Sequence, residues 1–374
     1  MDATWSELTI ANIDPSASTT SGQVANRSST IMAIIEPAPV PTGSGLDTFL
    51  TMTSPPRPLK SYKTYDQQIA LLSSRGMIIG DHQFATKWLQ EAGYYRLSLY
   101  THHFRETNSR GKKVNRFRNG TTFEDVVSLY IFDRELRYRV FSGIEKIEVA
   151  LRARMAYHLG FYGPDVHKDA SHFRSKPDYS ILLKTFDNRF KRALTRNDEV
   201  AVHHKKNYGG ELPIWVLTDL LDFSDLSKLF AQLRSVDQRA IAKGFGLNDP
   251  PKKRGGRATN LAGWLHQLSL VRNFTAHHAR LWDRQFGAKD VSDAERVNGY
   301  FEGFGKTPQS TDIYGVLTIM SFLLESIEGH IDWAKDMAEF LTSSSECLPS
   351  KSLADMGFPS NWNRLHPWSP SRAR

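Results

Sequence analysis

Apolar residues recur along the chain mainly at the three- and four-residue spacing of an amphipathic helix. The longest such segment follows Thr121, where Thr121 and Glu124 have the spacing of a capping box. Its apolar stripe consists of Leu136, Val140, Ile144, Ile147, Leu151, Met155 and Leu159. Gly160 predicts its end. The sequence therefore predicts one long helix that buries a single face.

Shorter helices are predicted on both sides of this segment. The residues that carry their apolar positions are Phe84, Trp88 and Leu89 after the cap Asp81; Ile214 to Leu233; Trp264, Leu268 and Val271; and Ile313, Leu317, Met320 and Leu324. We expect Trp215, Trp264 and Trp282 in the core. No convincing period-two alternation occurs, so the fold is expected to be mostly α, as an antiparallel helical bundle.

Composition divides the chain into four parts. Ser, Thr, Ala and Pro dominate both ends, and such segments bury too little apolar surface to offset chain entropy. The expected parts are a disordered leader over 1–58, a small helical unit with an exposed basic loop over 59–118, a helical bundle over 119–342, and a C-terminal tail over 343–374. Trp362 and Trp368 are expected to dock locally within the disordered tail.

Charge and cysteine content narrow the class of protein. The net charge of +8 over 374 residues favours a polyanionic partner such as RNA. The one cysteine, Cys347, can form no disulfide within the chain and no cysteine-based zinc site. Because neither a secretory signal nor an apolar run of membrane-spanning length is evident, we expect a soluble, cytoplasmic protein without a membrane partner.

The candidate chemistry lies in the run VRNFTAHHARLW, which contains Arg272, Asn273, His277, His278 and Arg280. Cleavage of RNA without metal needs a proton carrier and a group that stabilises phosphate charge. Histidine exchanges protons near neutral pH, and arginine offers a fork of donors that matches phosphate oxygens. An Arg-x4-His pattern is therefore a plausible half of a ribonuclease site, although the pattern also arises often by chance.

Helix geometry limits what one copy of this run can do. On an ideal helix Arg272 and His277 lie roughly 140° apart, whereas Asn273 and His277 are neighbours at i and i+4. Both side chains reach one phosphate only if the arginine curls round or the helix is distorted or ends there. We therefore expect a homodimer or another composite site. The adjacent His277 and His278 also suggest a metal site, but no third ligand has matching spacing, so no metal or cofactor is expected.

Five ordered blocks between about Lys60 and Trp282 carry a family resemblance. The blocks are SYKTYDQQIALLSSRGMII, GYYRLSLY, RFRNGTTFEDVVSLYIFDRELRYRVFSGIEKIEVALRARMAYHLG, ELPIWVLTDLLDFSDLSKLF and LVRNFTAHHARLWDR. The chain resembles the Abi (abortive infection) family of bacterial proteins, in its Abi-D/Abi-F group, which is placed in the HEPN superfamily. The resemblance implies a HEPN-like bundle, an Arg-x4-His site made of Arg272, Asn273 and His277, dimeric composite sites, metal-independent cleavage and restraint by a small non-coding RNA. Ala279 stands where related toxins that are restrained by modification carry tyrosine, so that restraint is not expected.

Other residues are expected to assist this site. Glu145, Glu148 and Arg152 on the long helix either form a solvated or internally paired stripe, or Glu148 or Arg152 faces the motif helix and orients Arg272 or His277. His278 is a further supporting candidate. The residues expected to contact RNA are Arg96, Arg116, Arg118, Lys205, Lys206, Lys252, Lys253 and Arg280. Tyr94 and Tyr95 are interpreted first as a packed aromatic pair and second as a base-stacking platform.

The sequence thus predicts an endoribonuclease of a phage-defence or toxin–antitoxin system that leaves 2′,3′-cyclic phosphate and 5′-hydroxyl ends. Two alternatives stay open: a non-catalytic RNA-binding protein on the same scaffold, and a nucleotide-binding sensor.

Overall fold

Helices dominate the protein. The computed structural model describes residues 59–247, 260–291, 300–301, 304, 309–329, 332–345, 348 and 353–369, so the leader 1–58 lies outside the described residues. The helices before the motif are α1 (Tyr65–Ser73), α2 (His82–Ala92), α3 (Tyr94–Thr101), α4 (Phe123–Gly160), α5 (Lys176–Thr195), α6 (Glu199–Asn207), α7 (Ile214–Leu220), α8 (Phe223–Gln232) and α9 (Ser235–Lys243). The remaining helices are α10 (Leu261–Ala276), α11 (Ile313–Glu328) and α12 (Asp332–Ser345). The expectation of a mostly α fold is confirmed.

The long helix α4 begins one residue later than its predicted cap. Thr122 has the extended backbone of an N-cap residue, and its hydroxyl accepts the Asp125 N–H at 3.0 Å. The Asp125 carboxylate in turn accepts the Thr122 N–H at 2.8 Å, which completes a capping box. The predicted pair of Thr121 and Glu124 is therefore wrong by one residue. Thr121 instead donates its hydroxyl to the carbonyl of Arg118.

The predicted apolar stripe of α4 is the centre of the core. Its seven members, from Leu136 to Leu159, are each no more than 1% exposed. Full burial of one such side chain contributes about 1.5–3 kcal/mol, so this stripe supplies much of the force that holds the other helices on α4. The helix ends at Gly160, as predicted.

Two helices that matter for the candidate site run antiparallel to α4. Glu148 pairs with Arg272 near the end of α10, and Asp133, earlier in α4, binds the N–H of Trp282, which follows α10. The chain therefore runs opposite to α4 in this region. Contacts with α7 pass from Arg152, which donates to the carbonyl of Leu221, to Gly160 beside the Trp215 ring. This is the antiparallel packing that the sequence predicted.

The basic segment between α3 and α4 is a hairpin rather than an irregular loop. Strands β1 (Arg105–Thr107) and β2 (Lys113–Phe117) pair antiparallel, and a second short pair joins β3 (Lys289–Asp290) to β4 (Gln309–Ser310). The expectation of an exposed loop here was wrong because each strand is too short to show a period of two. Phe117 is nevertheless buried and anchors the hairpin to the core.

The tryptophans divide between core and surface. Trp264 and Trp282 are fully buried, as predicted, but Trp215 is 49% exposed, so its expected core position was wrong. Trp215 lies in the first turn of the short helix α7, and its ring is beside Gly160, the last residue of α4. It therefore packs on the end of α4 and not on its buried stripe. Trp362 and Trp368 dock locally as expected, with ring centroids 6.4 Å apart. No helix of the described residues is both long enough and apolar enough to cross a lipid bilayer.

Candidate functional site

The motif residues lie at the C-terminal end of α10, where the helix stops in a Schellman motif. His277 is the C-cap, and His278 follows with a left-handed backbone at φ 55°. The Ala279 N–H donates to the carbonyl of Phe274 at 2.9 Å, and the His278 N–H donates to that of Thr275 at 3.1 Å. The left-handed position is usually glycine, and a histidine there costs some conformational free energy. The helix therefore ends within the motif, with Arg272 four residues before its last residue and His277 at its cap.

Arg272 is held loosely in a half-exposed position. Its side chain is 34% exposed, and its Nε lies 3.8 Å from Oε2 of Glu148 on α4. No hydrogen bond to the Arg272 guanidinium occurs within the described ranges 59–247 and 260–291. Most of its five N–H donors are therefore available to an anion.

Glu148 faces the motif helix, whereas Arg152 pairs with Glu148 on its own helix and turns towards α7. Oε1 of Glu148 accepts from Nη2 of Arg152 at 2.9 Å while its other oxygen faces Arg272. Arg152 also donates to the carbonyls of Thr218 and Leu221. Glu148 thus connects α4 to α10 directly and to the end of α7 through Arg152. Its carboxylate limits the positions that the Arg272 side chain can take.

A second carboxylate adds to the field around Arg272. Asp222, the N-cap of α8, accepts from Arg192 at 2.8 Å and forms an ion pair with Arg189 at 2.8 Å. Burial alone would raise the pKa of the Asp222 carboxyl, but the guanidinium groups of Arg192, Arg189 and Arg272 together hold that pKa below its ordinary value. The Asp222 carboxylate therefore stays ionised and balances the charges of Arg189 and Arg192 at 2.8 Å each. Of the three arginines, Arg272 has the longest ion-pair distance, 3.8 Å to Glu148.

His277 and Asn273 are exposed on the same end of α10. The His277 N–H donates to the Asn273 carbonyl at 3.0 Å, but in the described part of the chain no hydrogen bond joins the His277 side chain to that of Asn273 or Arg272. The arrangement presents an arginine and a histidine to solvent as separate groups. This separation is what the sequence geometry anticipated for one copy.

Asp133 holds the turn after the motif, and sequence reasoning missed it. Its carboxylate is fully buried and accepts the backbone N–H groups of Leu281 at 3.0 Å and Trp282 at 2.6 Å. It also accepts the Tyr100 hydroxyl at 2.6 Å and forms an ion pair with Arg137. Burial first, and then the Asp133 charge, raises the pKa of the Tyr100 hydroxyl. The available signal was that Asp133 stands at helical spacing between the apolar Leu129 and Leu136, which places a carboxylate on the buried face.

The predicted RNA-contact residues fall into separate places. Arg96 donates to the carbonyl of His278 at 2.6 Å and Arg280 to that of Leu99 at 2.8 Å, so both lie beside the motif turn. Arg116 pairs with Glu106 at 3.6 Å on the hairpin, and Arg118 donates to the carbonyl of His103.

The other predicted contact residues are not brought to the motif. Lys205 and Lys206 are exposed on α6, which packs on α5. Lys252 and Lys253 lie outside the described residues.

The interpretation of Tyr94 and Tyr95 as a packed pair is half right. Tyr94 packs against the core, and its hydroxyl accepts a hydrogen bond from Arg75 at 3.2 Å. Tyr95 is 81% exposed, so for this residue the packed interpretation was wrong. Adjacent residues on a helix point about 100° apart, so only one of them faces the core here.

Comparison with known proteins identifies a family. A family model described as Abi-like protein matches residues 87–283, which is more than half of the chain. The matched segment extends from within α2 to the residue after Trp282, so it contains α4, the hairpin and the whole motif. No curated protein and no solved structure matches the chain significantly.

Proposed function

We propose that this chain, which belongs to the Abi-like protein family, is a metal-independent endoribonuclease that acts in bacterial phage defence by abortive infection or as the toxin of a toxin–antitoxin pair. The observation that carries the proposal is the exposure and weak pairing of the Arg272 guanidinium. Its guanidinium is half-exposed, has one long ion-pair contact to Glu148, and lies at the helix end that also presents His277. An arginine in that state has donors free for a phosphate.

The proposed chemistry uses only protein side chains. The 2′-oxygen of the ribose attacks the adjacent phosphorus while His277 accepts the 2′-hydroxyl proton. Arg272 stabilises the negative charge that develops on the phosphate oxygens, with Asn273 as a further donor to the phosphate or to His277. The 5′-oxygen leaves with a proton, which gives a 2′,3′-cyclic phosphate and a 5′-hydroxyl end.

The proton donor to the 5′-oxygen is expected from a second copy of the chain. Because no hydrogen bond joins the side chains of Arg272 and His277 in the described part of one chain, two copies would supply two arginines and two histidines around one phosphate. A homodimer is therefore part of the proposal, and light scattering should give about twice the 42.4 kDa of one chain. A small non-coding RNA that restrains the enzyme is proposed as a partner from the family resemblance. No cofactor is proposed.

A cleavage assay with mapped product ends tests the proposal. The Arg272→Ala/His277→Ala protein should lose at least about 100-fold in cleavage rate, because general acid–base catalysis alone contributes about that much. His203→Ala, which removes an exposed histidine of α6, is the matched control and should cleave like the parent. Cleavage by the double variant at the parental rate would show the assignment to be wrong, and a chelator should leave the rate unchanged.

The alternative is a non-catalytic RNA-binding protein on the same scaffold. The separation of Arg272 from His277 favours it if the protein is a monomer, because a single copy would then bind a phosphate without a proton carrier beside it. Steep salt dependence of RNA binding with no cleavage by the parent would support this alternative.

A further inference from the structure

One face of α3 is exposed beside the motif turn. Tyr95, Leu99 and His102 follow one another at spacings of four and three and lie on one side of the helix. Tyr95 is 81% exposed and Leu99 is 40% exposed. A tyrosine this exposed is not needed for the core, and its ring is accessible to a planar ligand.

Two hydrogen bonds fix this face against the turn that carries the motif histidines. The Arg96 guanidinium donates to the His278 carbonyl at 2.6 Å, and the Arg280 guanidinium donates to the Leu99 carbonyl at 2.8 Å. The two contacts run in opposite directions between the same two segments. These two contacts hold α3 against the turn at His278, one residue after His277.

Positive charge without matching carboxylates lies at the C-terminal end of α3, where Lys113 and Arg118 contact the His103 carbonyl. In the described ranges 59–247 and 260–291, no carboxylate lies within 4.0 Å of the cationic groups of Arg96, Arg105, Lys113 or Arg118. Lys113 instead donates to the carbonyl of Arg105 at 2.9 Å, at the start of the hairpin. Such cations stay available to phosphate groups.

The electrostatic field at His102 is consistent with this excess of positive charge. Partial burial and then the charges of Arg105, Lys113 and Arg280 lower the pKa of the His102 imidazole. The hairpin, α3 and the motif turn therefore act on one another at short range. We call the set Tyr95, Leu99, His102, Arg105 and Lys113 the α3 strip.

A second exposed aromatic surface differs in charge and place. Tyr157, Phe161 and Trp215 line a shallow depression of about 590 Å³ at the end of α4, and no lysine or arginine contributes to its lining. Tyr157 is 88% exposed, but it is nine residues beyond Glu148, on the side away from the motif turn. Tyr157 therefore matches Tyr95 in exposure, but no lysine or arginine lines the depression beside it.

We propose that the α3 strip binds single-stranded RNA beside the scissile phosphate, with the ring of Tyr95 stacked on one base and with Arg105 and Lys113 on the adjoining backbone. This inference rests on the proposed function, since it assumes that RNA is the substrate at Arg272 and His277. A single strand fits because its bases can unstack onto an aromatic ring, whereas the bases of a duplex stay inside the helix. Tyr95 then acts as a binding residue that sets where the strand lies.

The test measures binding separately from cleavage. The full chain carrying His277→Ala keeps a short fluorescent RNA intact, and anisotropy then reports its Kd. Adding Tyr95→Ala should weaken binding of the single strand about tenfold, the usual size of a base–aromatic contact. Tyr95→Phe should stay within about twofold because it keeps the ring, and Tyr157→Ala, the matched control, should change nothing.

The salt dependence tests the cationic part of the strip. Arg105→Gln should reduce the slope of log Kd against log salt by about 0.7, the value for one phosphate contact on a single strand. Lys184→Gln, which removes an exposed lysine of α5, should leave the slope unchanged.

The outcomes distinguish a failure of the inference about the α3 strip from a failure of the proposed function. If Tyr95→Ala binds like Tyr157→Ala, if Arg105→Gln keeps the parental slope, or if a duplex binds as tightly as the single strand, the inference about the strip is wrong, whether or not the parent cleaves RNA. If the strip variants behave as expected but the parent with His277 intact never cleaves, the proposed function fails and the strip stands. A parent that binds no RNA overturns both.

Discussion

Replacement of Asp133 by asparagine should weaken the protein severely, although the two side chains have nearly the same shape. Asp133 is fully buried, and its carboxylate accepts the N–H groups of Leu281 and Trp282, the Tyr100 hydroxyl and the Arg137 guanidinium. An asparagine keeps one acceptor oxygen and presents an NH₂ group where a donor already points. Two of these donors would then lose their acceptor.

The size of the effect follows from the burial of the partner. The Arg137 side chain is only 6% exposed, so without Asp133 its charge stays buried with no counter-ion. Breaking a buried ion pair in this way costs about 3–5 kcal/mol, a large part of the roughly 5–15 kcal/mol that holds an ordinary domain together. In urea, followed by circular dichroism, the unfolding midpoint of Asp133→Asn should fall by about 1 M or more.

Glu135→Gln is the matched control on the same helix. Glu135 pairs with Arg139 at 3.2 Å but is 34% exposed, so its loss should cost no more than about 1 kcal/mol. Adding Arg137→Met to Asp133→Asn should recover about 1–3 kcal/mol, because it removes the uncompensated charge. Equal midpoints for Asp133→Asn and Glu135→Gln, or strict additivity of Asp133→Asn and Arg137→Met, would refute this account of the clamp.

Three further predictions follow from individual contacts. Burial, chiefly, raises the pKa of Asp283 to about 6, so ionisation of this carboxyl destabilises the folded protein at neutral pH. Stability should be regained mainly as pH falls from about 6 towards 4. With solvent screening the gain is about 1 kcal/mol, and pH-dependent melting of Asp283→Asn should lack it. Glu148→Gln should lower kcat of the proposed cleavage about tenfold and shift the melting temperature little, because it frees Arg272 from its positioning partner; an unchanged kcat would count against that role. Trp264→Ala should cost about 3–5 kcal/mol in urea unfolding and Trp215→Ala less than half of that, since only Trp264 is fully buried; equal losses would contradict the burial argument.

Local pattern was sufficient for the helices. The spacing of Leu136 to Leu159 determines the buried face of α4, because a helix of 3.6 residues per turn brings those positions to one side whatever packs on them. The capping region and the end at Gly160 were placed within one residue for the same reason, since caps depend on near neighbours. The hairpin at Arg105–Phe117 was missed because three to five residues are too few to show a period.

The sequence by itself also determined which residue types could do chemistry, namely the arginine and histidine at the end of α10. Only the tertiary structure decided that Glu148 faces Arg272 and that Asp133 clamps Leu281 and Trp282 from a distance of about 150 residues along the chain. It likewise placed Tyr95 on the surface next to His278 and left Trp215 exposed. These facts depend on where helices cross, and crossings are set by the packing of many side chains at once, information that no single segment contains.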